Sequence, residues 1–187
     1  MLYILNYLIE NKYIDEADTL FFKYCIEVTV FNFFSVISII IIAMLNNELE
    51  IGISFLLTFI AIRTNLGGFH CKTPIKCLVL FPILYSLTGL VKNIITIKLF
   101  YYLSLISILL LFLVKPIKNN KEIKNDDYKK CKKRLHIFLK CIVAINLISF
   151  ISNIFNSIVI GVDIAVVLSL ILYVAKYLES LEFLKVK

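Results

Sequence analysis

Residues 28–47 and 141–162 carry no charged side chain over twenty and twenty-two consecutive positions. At about 1.5 Å per helical residue, each run is long enough to cross roughly 30 Å of hydrocarbon. A third run, 99–114, can span if Lys98 reaches back to the headgroups. Shorter apolar runs lie at 51–62, 77–91 and 164–175, and none alternates with the period of two that a membrane barrel needs. Composition agrees: 60% of the chain is hydrophobic and 18% charged, against about 45–50% and about 25% in soluble domains. Five cysteines are too few, and odd in number, for a disulfide scaffold. The expected fold is all-α: one polytopic membrane domain, 1–187, with about six segments, some short or re-entrant.

Charge placement orients these segments. If the N-terminus is cytosolic, segments 1–27, 63–76, 115–134 and 176–187 are inside and hold 17 of the 20 Lys and Arg residues. The positive-inside rule selects that register, because the reverse would send the nine cations of 115–134 across the membrane. The runs 51–62 and 77–91 leave two readings open, tilted partial spans or a re-entrant pair. Glu10, Asp15, Glu16 and Asp18 interrupt the first residues, so no signal peptide is expected there. Segment 1–24 instead suits an amphipathic helix in the interface. The basic stretch 115–134 reads as a loop against anionic lipid heads, with an acidic peptide as a second candidate.

Polar residues within the spans are few. Asn146, Ser149, Asn153 and Asn156 recur every three or four positions and so share a helix face, as Asn32, Ser35 and Ser38 do more weakly. Hydrogen bonding between helices is the simplest role for both stripes.

Chemistry concentrates in 63–77, RTNLGGFHCKTPIKC. Thr73-Pro74 predicts a helix start, with Thr as the cap and Pro at the first helical position. Cys77 then falls in the first turn, where free N–H groups, the dipole and Lys72 and Lys76 favour a thiolate. His70 is seven residues earlier, about 10.5 Å along one continuous helix, too far for proton transfer. A helix start at Thr73 leaves His70 in a loop that Gly67-Gly68 can bend back. An imidazole touching the thiol would be a nucleophile with its own base. On spacing alone, an unrelated membrane-edge histidine and buried cysteine is an equal reading. Zinc held by His70, Cys71 and Cys77 with Cys131 or His136 lacks any anchoring CxxC or HxxxH pair.

Arg63, Gly67, Gly68, His70 and Cys77, in the pattern RxxxGGxHxxxxxxC, resemble the accessory gene regulator B (AgrB) family. KPIKNNK at 115–121 resembles that family's later Pro- and Asn-Lys-containing loop. Cys71 stands where a small residue is usual, and Phe81 where a Ser would be expected. The resemblance implies a multi-pass bacterial cell-membrane cysteine endopeptidase that matures a quorum-sensing propeptide. Cys77 would be its nucleophile and His70 the acid/base partner, with Arg63, Gly67 and Gly68 supporting the site or positioning substrate. It further implies a thioester acyl-enzyme, thiolactone or lactone closure, and a cytosolic N-terminus and active-site loop. The implied partners are an AgrD-like propeptide, the lipid bilayer and a second copy of the chain; no nucleic acid, cofactor or metal is called for. The rival class is a small non-enzymatic transporter or scaffold.

Overall fold

The computed structural model describes residues 19–66, 74–94, 97–114, 125–152 and 156–185, together with Tyr7 and Asn11. These form six helices and no strand: α1 Thr19–Leu45, α2 Leu49–Leu66, α3 Pro74–Ile94, α4 Ile97–Leu113, α5 Asn125–Ser152 and α6 Asn156–Lys185. Within four of them, Cys25–Leu45, Leu49–Leu66, Tyr128–Ile151 and Asn156–Glu179 are long and apolar enough to cross a membrane. Helices α3 and α4 carry shorter apolar stretches, Leu78–Gly89 and Tyr101–Leu113. The runs 51–62 and 77–91 fall within the helices α2 and α3, of 18 and 21 residues. Each run extends into polar flanks that composition alone excludes.

Three boundaries differ from expectation. Residues 19–24, assigned to the interfacial segment, begin α1; the rest of that segment, apart from Tyr7 and Asn11, lies outside the described residues. Residues 125–134 of the basic stretch are not loop but the start of α5. Asn125, Asp126 and Asp127 suit a helix N-terminus, and the following Lys and Arg are good helix formers. The run 141–162 is not one span. It divides between the end of α5 at Ser152 and the start of α6 at Asn156. Charge counting does not see this break, because Ser152 and Asn156, the residues that bound it, are uncharged.

Helices α2 and α6 form the centre. On one side, Ile39 and Ala43 of α1 and Phe81 and Tyr85 of α3 pack on Phe55 and Leu168. On the other, Ile108 and Leu111 of α4 and Leu135 and Leu139 of α5 pack on Ile62 and Val166. In lipid, apolar burial gives little drive for helix association, so close approach and hydrogen bonds gain weight. Both are present. Gly161 of α6 lies against the backbone of Ile51 and Phe55 in α2, and Gly52 lies against Ala43.

Helices α1 and α2 are joined by a tight cap. Asn47 takes a left-handed φ of 55°, which Asn tolerates better than most residues. Its N–H donates to Met44 O at 3.1 Å, and Glu48 N–H to Ala43 O at 2.8 Å. This paired pattern is a Schellman motif with Asn at its C′ position.

The polar stripe on α5 is half right. Asn146 is fully buried and its Nδ2 donates to Asp163 Oδ1 of α6 at 2.8 Å and to Ser104 Oγ of α4 at 3.4 Å. Ser104 Oγ donates to the same carboxylate oxygen at 2.6 Å. Asn153 lies outside the described residues, and Asn156 belongs to the next helix. Asp163, which separates the apolar runs 141–162 and 164–175, is the acceptor joining α4, α5 and α6. Asp163→Ala removes the acceptor shared by two buried donors, at a cost of about 1–3 kcal/mol. Its melting temperature in detergent is expected to fall, and Asp163→Asn, which keeps an acceptor, should fall less. Identical melting of the Ala variant and the parent would show that this cluster does not hold the helices.

Candidate active site

The last turn of α2 lies over α3 near its beginning, through Arg63 and Phe81. Helix α3 starts at Pro74, the residue expected to open it. Cys77 is therefore in its first turn, while its side chain lies outside the described residues. His70, Gly67, Gly68 and Cys71 also lie outside them. No distance between His70 and Cys77 follows.

Arg63 is placed. It sits in the last turn of α2, with its guanidinium carbon 4.4 Å from the ring centre of Phe81 and 5.6 Å from that of Phe59. Both are within cation–π range. Phe81 follows Cys77 by four residues, one turn further along the same face of α3. The flat, weakly hydrated guanidinium suits this semi-buried seat better than an ammonium would. Below it the rings continue: Phe59 lies edge-on to Phe81 at 5.5 Å, Phe55 stacks on Phe59 at 5.4 Å, and Phe55 meets Tyr85 at 5.1 Å. This ladder sets the register of α2 against α3, and so of Arg63 against the turn that carries Cys77. Phe81, noted in the sequence only as a departure where Ser is expected, is the aromatic seat of that arginine.

A second tie fixes the same turn. Pro82 lies inside α3 and has no N–H to offer the carbonyl four residues earlier, that of Leu78. Ser35 of α1 supplies the missing donor, its Oγ reaching Leu78 O at 3.2 Å. An unpaired carbonyl is costly in lipid, so the α1 hydroxyl completes α3 one residue after Cys77. The weak stripe on α1 contained Ser35, but its partner carbonyl is visible only once α1 and α3 are packed. Ser35→Ala is expected to destabilise the fold by about 1–3 kcal/mol, with Ser35→Thr restoring most of it. Thermal unfolding of the three proteins in one detergent checks this.

Between α1, α2 and α3 lies a cleft of about 320 Å³. Asn32, Arg63 and Thr64 are at one end; Ile39 and Leu56 are at the other, with Phe59 and Phe81 on the walls. Across the bundle, His136 of α5 packs edge-on against Phe112 of α4, ring centres 5.3 Å apart. Cys131, also on α5, is a half-buried free thiol. Among the described residues no three His, Cys, Asp or Glu side chains group to hold a metal.

Known proteins were compared with this chain at the level of families, curated sequences and solved structures. A family model described as Accessory gene regulator B matches residues 2–179, nearly the whole chain. No curated protein and no solved structure matches it.

Proposed function

Because the chain belongs to the accessory gene regulator B family, with that family's role in quorum sensing, we propose that it is a membrane cysteine endopeptidase that cleaves and cyclises a peptide pheromone precursor. The observation that carries this reading is the helix start at Pro74. It gives Cys77 a first-turn position, where a helix's own N–H groups have no partner within the helix. A thiolate is favoured there, and so is an oxyanion.

In the proposed reaction, His70 takes the proton from the Cys77 thiol and the sulfur bonds to the carbonyl carbon of the scissile peptide. The resulting oxyanion accepts hydrogen bonds from the start of α3. One such donor is typically worth about 3 kcal/mol. As the C–N bond breaks, His70 returns the proton to the leaving amine, and a thioester to Cys77 remains. A thiol within the peptide then attacks that thioester. Its proton passes to the departing Cys77 sulfur, and a thiolactone is released. One thioester replaces another, so ring closure is close to thermoneutral, whereas closure directly from the amide would be uphill. Water competes at the acyl-enzyme stage, and a site sunk at the membrane edge limits its access. The cytosolic face is the side proposed for this site, in line with the lysines and Arg63 of 63–76.

The test is reconstitution of the full chain in lipid with a Cys-containing amphipathic propeptide, followed by mass spectrometry. A C-terminally shortened product lighter by one water than the linear fragment is expected, with a transient adduct on Cys77. Intact propeptide after prolonged incubation, with no adduct, would sink the proposal.

A further inference from the structure

We propose that the cleft between α1, α2 and α3 is the acyl-side specificity pocket, which takes a bulky apolar side chain from the peptide residue immediately before the scissile bond. The inference rests on Cys77 being the nucleophile, and deepens that reading by assigning a substrate class to a cavity.

Position is the first argument. Phe81, a wall of the cleft, is one helical turn beyond Cys77, about 5.4 Å along the axis. A carbonyl held at Cys77 puts the side chain of its own residue within that reach. Polarity is the second. The end at the last turn of α2 carries Arg63, Thr64 and Asn32, donors suited to peptide carbonyls. The deeper end is closed by Ile39 and Leu56, both buried, and offers only dispersion contacts. A side chain attached to a polar backbone has this same division along its length.

Size selects the occupant. At about 320 Å³ the cleft is at the small end of ligand pockets, which run from roughly 300 to 1,000 Å³. From Thr64 to Leu56 is eight residues of α2, about 12 Å. Beyond Ile39, α1 closes on α2 where Gly52 meets Ala43: a methyl added at Gly52 would lie 2.5 Å from the Ala43 Cβ. The cleft therefore ends at this contact, while it stays open along its length beside the exposed Ile60. One aromatic or branched side chain matches its size.

The experiment uses the full chain in nanodiscs and propeptides that differ only at the residue before the cleaved bond: Ala, Leu or Phe. The parent protein is expected to prefer Phe or Leu over Ala by about 10–100-fold in kcat/KM. Val36→Phe, which fills the cleft from α1, should cut the Phe-to-Ala ratio at least tenfold. Leu56→Ala, which enlarges it, should raise the Phe-to-Leu ratio. Ratios unchanged in both variants would overturn the pocket assignment. A second arm does not need turnover: Cys77→Ala protein is irradiated with a propeptide carrying a photoreactive phenylalanine at the same position. Crosslinks at Val36, Ile39 or Ile60 are expected. Crosslinks to lipid alone, or only to residues 115–124, would overturn the proposal. If the parent cleaves nothing but crosslinks still map to the cleft, the catalytic reading fails and the binding site stands.

Discussion

Gly161→Leu is expected to prevent stable assembly of the helix bundle. Gly161 faces α2 where the two central helices approach most closely. A Cβ there would run into Ser54 Oγ, Ile51 O and Phe55 N. Ser54 cannot simply swing aside, because its Oγ donates to Glu50 O at 2.8 Å and Ile51 O at 3.1 Å. The other two obstacles are backbone atoms and move only if α2 and α6 separate. Overpacking usually costs about 1–3 kcal/mol when side chains can adjust; here the cost should exceed that range. Separation would also strain both hydrophobic clusters, since α2 and α6 contribute to each. The measurement is thermal stability of detergent-extracted protein, read by size-exclusion chromatography. Gly89→Ala is the control, since nothing lies within 4 Å of its added methyl. Parent-like melting of Gly161→Leu would mean that α2 and α6 do not meet at this distance.

Cys77→Ala and His70→Ala are each expected to lower propeptide cleavage by at least about 10⁴-fold, the scale on which loss of one member of a nucleophile–base unit acts. Thermal melting of each variant is measured alongside, so that loss of chemistry is told apart from loss of fold. Cys77→Ser should be nearly as impaired, because a hydroxyl so placed remains protonated where a thiol yields a thiolate. Cys71→Ala should keep its activity. Full processing by Cys77→Ser would remove the basis for a thiolate, and complete loss in Cys71→Ala would move the nucleophile by six positions.

The helix start before Cys77 was legible because Thr-Pro is a local signal that depends on no distant partner. The membrane class was legible for a similar reason: hydrocarbon rejects charge, so a charge-free run of twenty residues reports its surroundings directly. Asp163 broke that logic. A single carboxylate looks like the end of a span unless Ser104 and Asn146 can be seen delivering their donors to it, and those residues lie 59 and 17 positions away. The end of α1 at Asn46-Asn47 was likewise hidden inside an apolar count, although Asn is a helix terminator with a known geometry. Ser35 and Phe81 had no readable role in isolation. One matters because Pro82 leaves a carbonyl open, the other because Arg63 comes down from a different helix. The cleft belongs to this class too: three helices define it, and no segment of the chain contains it.

The Asn47 cap has a mechanical corollary. It ties α1 to α2 at the extremity remote from Arg63, and the Gly52–Ala43 contact clamps them a short way inward. The two walls of the cavity thus behave like tweezer arms fused at the base. Any spreading of α1 from α2 is then greatest at the tip, the end that carries Asn32, Arg63 and Thr64.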